Sequence, residues 1–257
     1  MTGQEFYRAR AEGLPIPTLP SASGLDLEDA YRIENEVARL HQAQGHAITG
    51  RKVGYANRAA WRLFKLETLV WAHMFDDTVH WAPDGFAELS LARLRTPRLE
   101  PEIVVRLREP LEGGGFASVE WLALGFEILD CPYPDWKFQP ADFVAAWGLH
   151  AALIIGAPLD AAAAGRAQLY HQLADFRVAL SRDGELVQEG SGRNCLRSPA
   201  LCLEELARAA SARGDPLRPG ELISTGTLTE PQPVAAGQEW SVAPDGLPLA
   251  PLRVRFC

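Results

Sequence analysis

Long apolar runs are missing from this 257-residue chain: nothing approaches the roughly 18 consecutive residues that a membrane span requires. The opening residues, Met1-Thr-Gly-Gln-Glu-Phe-Tyr-Arg8, lack the apolar stretch of a secretory signal, so a cytoplasmic location is expected. Positive charge is the minority sign, with 25 Lys and Arg against 33 Asp and Glu, for a net charge of −8. No polybasic run or basic-aromatic stripe appears, which argues against nucleic acid or an anionic membrane as partner. The small clusters Arg8/Arg10 and Arg93/Arg95/Arg98 read as solvated faces. Cysteine is scarce, and Cys131, Cys195, Cys202 and Cys257 form no Cys-x-x-Cys pair, so reduced thiols are expected rather than a disulfide framework or zinc site. The histidines, His41, His46, His73, His80, His150 and His171, show no His-x-x-x-His spacing. Neither Gly-x-Ser-x-Gly nor Gly-x-Gly-x-x-Gly is present, and no Gly-Lys-Ser/Thr follows Gly190-Ser-Gly-Arg-Asn194. Serine hydrolase, dinucleotide and phosphate-loop chemistries therefore lack support.

What is present is a set of three acids in sequence that otherwise reads as buried strand. Glu100 and Glu102 lie in Arg98-Leu-Glu-Pro-Glu-Ile-Val-Val105, and Glu127 in Leu124-Gly-Phe-Glu-Ile-Leu-Asp130. Side chains alternate along a strand, so Glu100 and Glu102 share a face while Leu99, Pro101, Ile103, Val105 and Leu107 form an apolar ridge on the other. Leu122, Leu124, Phe126 and Ile128 pack one way in the second strand; Glu127 shares the opposite face with Ala123 and Gly125, which predicts empty volume beside it. Ionised carboxylates there are costly unless something positive pairs with them. A hard divalent cation such as Mg²⁺ is one remedy. Ion pairs to arginines such as Arg98 or Arg106 are the other, and the pattern alone does not choose between them.

The remaining segments suggest α+β architecture, a mixed sheet rolled around one core. Residues 13–24 form a proline-rich crossing segment; Asp26 then caps a helix carried by Ala30, Ile33, Val37 and Leu40 and closed at Gly45. A short strand from Ile48, a short helix over Arg58 to Lys65, and a strand break at Gly113-Gly-Gly follow. A buried helix and the strand Ala152-Leu-Ile-Ile are expected over 140–156, and a hairpin at Asp183-Gly184. Ser198-Pro199 opens a helix with Leu201, Leu203, Leu206 and Ala210 inside, and Pro219-Gly220 turns into the strand Glu221-Leu-Ile-Ser-Thr-Gly-Thr227. With no internal repeat or clean linker, one unit over 1–257 is expected, a small helical portion (about 1–75) packed on a β-roll (about 76–257).

Lys52, between Gly50 and Gly54, is a candidate proton shuttle, or a lysine snorkelling from a strand edge. Ser224-Thr-Gly-Thr227 offers hydroxyls and a permissive backbone to a carboxylate, or is a plain strand-to-loop turn. Asp76-Asp77 can orient a water or start a turn; Asp135-Trp-Lys137 can line a site or be loop between prolines.

Together these segments resemble the fumarylacetoacetate hydrolase superfamily, in its 2-keto-4-pentenoate hydratase and oxo-acid decarboxylase branch. The resemblance runs from about residue 25 through Gly50-Arg-Lys-Val-Gly, Phe75-Asp-Asp, Leu99-Glu-Pro-Glu-Ile, Gly125-Phe-Glu-Ile-Leu-Asp, the Asp142 segment to Gly156, Gly190-Ser-Gly, Ser198-Pro-Ala-Leu and Pro219-Gly-Glu-Leu-Ile-Ser-Thr-Gly-Thr. It implies a mixed β-roll of the superfamily's catalytic-domain type with flanking helices. It also implies Mg²⁺ or Mn²⁺ held by Glu100, Glu102 and Glu127, Lys52 as the active-site lysine, and Ser224, Thr225, Gly226 and Thr227 at the substrate; Asp76, as a catalytic residue, and Lys137, as a substrate contact, are expected from their own segments. The activity it implies is hydration of a 2-hydroxy-2,4-dienoate in aromatic catabolism by a homo-oligomer, with Trp71, Phe126 or Trp136 walling the cavity. Decarboxylation of a vinylogous oxo-acid, acylpyruvate-type hydrolysis and non-catalytic binding of an oxo-acid remain alternatives. The chain departs from the branch at Gly54-Tyr-Ala-Asn-Arg58, where Gly-Leu-Thr-Ser is common, and at Ala145-Ala-Trp147, where Ala-Asp-Asn is. It also carries Leu69-Val-Trp-Ala72 in place of a Pro-Asp-Tyr-Gly stretch, which removes an acid able to position water.

Overall fold

The computed structural model describes residues 1–111 and 115–257; the break expected at Gly113 and Gly114 lies outside them. Two mixed sheets share one core. The larger runs in the order β2 (Val70–Phe75), β1 (Ile48–Gly54), β11 (Leu222–Thr227), β5 (Arg98–Leu107), β6 (Val119–Leu129), β7 (His150–Ile155), β3 (Val79–Trp81) and curls into a half-barrel. Short strands β8 (Leu159–Asp160) and β12 (Gln232–Pro233) pair with β6 and β5. The smaller sheet runs β10 (Glu185–Ser191), β9 (Arg177–Arg182), β13 (Glu239–Asp245), β14 (Leu252–Phe256), β4 (Phe86–Leu89). This is the α+β roll expected, with six α-helices around it among the described residues.

Local chemistry accounts for the helices. In α1 (Gly3–Glu12) Thr2 and Glu5 form a reciprocal capping box and Gly13 closes the end in the left-handed region. In α2 (Leu27–Ala43) the Asp26 side chain accepts the Asp29 N–H at 2.8 Å. Its buried face is Ala30, Tyr31, Glu34, Val37 and Ala38, with Ile33 and Leu40 only half-buried. The stripe is rotated from the expected one because Glu34 turns inward to hold His73 at 3.0 Å. After α3 (Arg58–Phe64), α4 (Pro140–Ala145) packs against α2. Asp142 staples the proline-rich segment to α4 by accepting from Ser21 N–H at 2.8 Å and Ser21 Oγ–H at 2.6 Å. α5 (Arg166–Asp175) is followed by the hairpin at Asp183-Gly184, and α6 (Pro199–Ala212) begins at Ser198 as expected, burying Leu203, Leu206 and Ala210. No helix among the described residues is long and apolar enough to cross a membrane.

Both faces of the large sheet are covered, which is why its strands read as nearly continuous apolar runs. Leu99, Ile103, Val105 and Leu107 of β5 and Leu122, Leu124, Phe126 and Ile128 of β6 enter the main core, together with Trp240, Val242, Leu252 and Val254 of the small sheet. The other face holds a smaller apolar cluster of Met74, Val104, Trp121, Ala123, Leu153, Ile155 and Leu222. The first 75 residues are not only helical: β1 and β2 belong to the large sheet, with Lys52 in register with Ser224 of β11 and Ala72 of β2. Next to it, Arg51 is fully buried with its guanidinium against Glu221 and Asp215, both at 3.2 Å. Arg10, expected on a solvated face, is half-buried, its guanidinium over Phe75 and Trp147.

The β1–β11 pairing depends on glycine at position 50. A Cβ there would sit 1.8 Å from the Leu222 carbonyl oxygen, in backbone that cannot yield. Gly50→Ala is expected to cost on the order of 3 kcal/mol or more in urea-unfolding free energy. A loss below about 0.5 kcal/mol, the range of neutral surface changes, would contradict the register.

Candidate metal centre and active site

Antiparallel pairing of β5 with β6 places Glu100 directly opposite Glu127, and Glu102 opposite Gly125. The three carboxylates therefore meet at one point on the face away from the main core. One oxygen from each lies within 4.8 Å of the others. Glu102 and Glu127 are fully buried and Glu100 nearly so. The volume beside Glu127 is not empty, as Ala123 and Gly125 had suggested. A Cβ at Gly125 would lie 2.5 Å from Val104 Cγ2, so the valine occupies that space.

Ion pairing with arginine is not the remedy used. Arg106 pairs with Glu120 at 3.5 Å on the surface, and Arg98 stacks on the Trp136 ring at 4.1 Å. Lys52 is the partner instead. Its Nζ lies 3.0 Å from Glu127 Oε2, donates to the Gly148 carbonyl at 2.9 Å, and sits 4.8 Å from the Phe143 ring centre. It is buried, not snorkelling. Gly148 has φ +64, and a Cβ there would meet Lys52 Cδ at 2.7 Å, so this close approach requires glycine.

Glu102 is held from β11. The register between β11 and β5 shifts between Ser224 and Thr227, where Gly226 adopts φ +110. That irregularity turns the Gly226 N–H onto Glu102 Oε2 at 3.0 Å, and the Ser224 hydroxyl donates to the same oxygen. Glu102 Oε1 keeps no hydrogen-bond partner among the described residues. Glu127 Oε1 lies 2.8 Å from His150 Nδ1, and His150 Nε2 lies 3.0 Å from Thr78 Oγ1, whose hydroxyl donates to the Phe75 carbonyl. Both ring nitrogens of His150 are thus engaged, and the neutral ring donates through one of them and accepts through the other. The electrostatics agree. Burial holds His150 neutral, well below its ordinary range. Burial, reinforced by the Glu127 charge, pushes Glu102 up to about 8; burial also lifts Glu127 to about 7 and raises Glu100.

Three buried carboxylates, an orphaned carboxylate oxygen and raised proton affinity fit a divalent cation with hard oxygen donors. Glu100, Glu102 and Glu127 are the residues that would hold it.

A cavity of about 600 Å³ opens over this centre, lined by Lys52, Tyr55, Arg98, Glu100, Trp136, Phe138 and Phe143, and closed on the β11 side by Gly226 and Thr227. The expected site residues divide. Lys52, Glu100, Gly226 and Thr227 face the cavity, and Ser224 serves it indirectly through Glu102. Thr225 faces away, its hydroxyl donating to the Ile103 carbonyl at 2.9 Å. Asp76 is not brought in: it sits in the surface turn after β2, 3.2 Å from His46, while Asp77 lies 3.1 Å from His41. The turn begins four residues beyond Ala72, the residue that pairs with Lys52, so it lies at the far end of the strand. Lys137 points to solvent, its side chain 80% exposed and 3.7 Å from Asp135. Of the three aromatic residues expected at the wall, Trp136 is there, whereas Trp71 packs on Tyr31 and Phe126 enters the main core. His150, Gly148 and Phe143 were missed; no spacing in the chain points to them, because only the turn after α4 and the β6–β7 pairing bring them to Lys52 and Glu127.

A profile described as "Fumarylacetoacetate (FAA) hydrolase C-terminal" matches residues 77–255. The chain belongs to this family. It is 29% identical to the 2-hydroxyhexa-2,4-dienoate hydratase of Comamonas testosteroni, over 95% of this chain and 93% of that protein. It is 28% identical to a 4-oxalocrotonate decarboxylase of a Pseudomonas species, covering 88% and 86% of the two chains. Among solved structures, the 4-oxalocrotonate decarboxylase of Pseudomonas putida G7, complexed with magnesium and adipate, superposes with a TM-score of 0.88 at 25% identity, covering 99% of this chain and 95% of that one.

The raised proton affinities have a consequence for stability. Between the ordinary glutamate value of 4.5 and the value of about 8 for Glu102, the folded metal-free protein binds more protons than the unfolded chain. Metal-free melting temperature should therefore fall as pH rises through that window, and metal affinity should rise over the same range because binding displaces protons. Thermal melts with and without Mg²⁺ across that window test this; an apo stability that climbs with pH would contradict it. Glu102→Gln should abolish metal binding in a Mn²⁺ titration and leave the fold intact. Retained binding would remove Glu102 from the ligand set.

Proposed function

We propose that this chain is a metal-dependent hydro-lyase that adds water to a 2-hydroxy-2,4-dienoate of the 2-keto-4-pentenoate type in the breakdown of aromatic compounds. The observation that carries the reading is the buried carboxylate triad with Lys52 against it, at the base of a cavity sized for a small acid. Hydratase relatives over nearly the whole chain support it. Glu100, Glu102 and Glu127 hold Mg²⁺ or Mn²⁺, and all of 1–257 forms one catalytic unit. When bound, the ion supplies Lewis-acid stabilisation of the negative charge that develops beside the carboxylate of a chelating 2-oxo acid.

Lys52 carries the proton chemistry. Its Nζ moves a proton during ketonisation of the dienol, and Glu127 with the Gly148 carbonyl fixes where that proton is held. Gly226 and Thr227 wall the cavity beside the substrate carboxylate, the Gly226 N–H being given to Glu102 and the Thr227 hydroxyl to the Thr229 carbonyl, while Ser224 keeps Glu102 aimed at the ion. Tyr55, Trp136, Phe138 and Phe143 hold the dienoate against the centre and limit bulk water. Asn57 Nδ2 and Asn194 Oδ1, the amide atoms not used to cap Ala59 N–H and to bond the Leu228 carbonyl, offer positions for the one water that adds to the remote double bond, giving a 4-hydroxy-2-oxo acid. The enzyme works in the cytoplasm as a homo-oligomer, for which the half-exposed Trp81 on the edge strand β3 supplies a contact.

One observation favours a second reading, decarboxylation of a vinylogous oxo-acid, which needs no attacking water: Asp76 lies outside the cavity. Loss of dienol absorbance with formation of the hydrated product marks the hydratase, whereas CO₂ release marks the decarboxylase. Lys52→Met should retain metal and lose about 100-fold or more of the turnover. Unaltered turnover in that variant would remove the lysine from the mechanism.

A further inference from the structure

Strand β11 parts from both of its neighbours at one point. Its pairing with β1 and with β5 runs to Ser224 on each side, and pairing with β5 resumes only at Thr227. Thr225 and Gly226 therefore stand outside both registers, in the irregularity that brings Ser224 Oγ–H and Gly226 N–H onto Glu102. A backbone carbonyl buried at such a break needs a donor from elsewhere.

The Thr225 carbonyl has two, and both are thiols. Cys195 Sγ lies 3.0 Å from that oxygen and Cys202 Sγ 2.8 Å. Both cysteines are fully buried. Cys202 enters from the opening turn of α6, which packs on β11, and Cys195 follows the short turn Gly192–Asn194 ahead of that helix. A carbonyl oxygen has two lone pairs, so one acceptor serves both S–H groups. Burial, reinforced by the Cys195 thiol, pushes the Cys202 thiol well above its usual range, which keeps its proton on sulfur. The other two cysteines lie elsewhere: Cys131 Sγ is 3.7 Å from the Tyr133 carbonyl, and Cys257 is exposed.

One rigid unit joins the thiols to the metal centre. The Thr225 carbonyl and the Gly226 N–H belong to the same planar peptide, which is trans and points them in opposite directions. Holding the oxygen on the thiol side therefore aims the N–H at Glu102 Oε2, 3.0 Å away. Cys195 Sγ would also lie 3.6 Å from a Cβ on Gly226, so the sulfur packs directly under the break.

We propose that Cys195 and Cys202 are positioning residues for the metal centre, orienting through the Thr225–Gly226 peptide the N–H that holds Glu102 in place. The proposal rests on the divalent-metal reading of the triad and adds to it a support on the α6 side. The role is exerted through Glu102, not by contact of sulfur with the ion or the substrate.

Mn²⁺ titration well below the melting temperature reads the effect directly. Cys195→Ala combined with Cys202→Ala should weaken Mn²⁺ binding about tenfold, the low end of what outer partners of metal ligands contribute. Cys195→Ser combined with Cys202→Ser keeps a donor at each position and should recover most of that loss. Wild-type affinity in the double alanine variant, or a double serine variant no better than alanine, overturns the proposal and leaves the triad standing. A second measurement needs no substitution. Mn²⁺ should slow the reaction of Cys195 and Cys202 with a thiol reagent, followed by peptide mass spectrometry, more than it slows that of the buried Cys131. Equal protection of all three is general stabilisation of the fold and counts against the proposal. A wild-type protein that binds no Mn²⁺ overturns the metal reading and the positioning role together.

Discussion

Mutual repulsion among Glu100, Glu102 and Glu127 is the constraint around which the rest of the centre is arranged. Carboxylates this close in a buried setting cannot all remain charged without a compensating cation, and their raised proton affinities express that conflict. Each neighbouring feature moderates it. Lys52 places one positive charge against Glu127, Ser224 and Gly226 donate to Glu102, and neutral His150 meets Glu127 on its other oxygen. Even so Glu102 Oε1 is left without a partner, and the unmet demand has the sign and hardness of a divalent metal.

The sheet divides the molecule so that this demand stays confined. Main-core side chains fill one face of β5 and β6, and the carboxylates stand on the other beside the smaller apolar cluster. Adjacent residues of β1 serve opposite compartments: Lys52 meets the triad, and Arg51 anchors Glu221 and Asp215 on the far side. Backbone strain gathers at the cavity. Tyr55, Trp136 and Leu149 line it with φ of 57, 56 and 57. Left-handed residues of this kind persist where surrounding structure over-determines them, and here they set the aromatic wall and the approach of Gly148 to Lys52.

The same platform accommodates more than one fate for a 2-oxo acid, and the relatives include both hydratases and decarboxylases. What distinguishes those fates lies outside the triad, in the supply of water and in the groups that meet the substrate's far end. Asp76 does not contribute to either, since its turn projects from the opposite end of β2. The cavity rim carries Asn57, Asn194 and Arg98, the last stacked on Trp136.

Much of this was legible in the chain because it follows from local periodicity and local chemistry. Alternation along β5 and β6 identified the common face of Glu100 and Glu102 and the apolar ridge behind them; Asp26, Ser198-Pro199 and Asp183-Gly184 announced their helices and hairpin through capping and turn geometry. The family resemblance added Lys52 and the divalent metal. Pairing register decided the rest. That Glu127 faces Glu100, that Val104 fills the space over Gly125, that Ser224 and Gly226 grip Glu102, and that His150 backs Glu127 all depend on residues 21 to 124 positions apart, separations whose closure no local propensity encodes. Asp76 and Lys137 went the other way for the same reason: a carboxylate or ammonium on a turn points wherever its neighbours leave room, and only the folded chain shows that this is solvent.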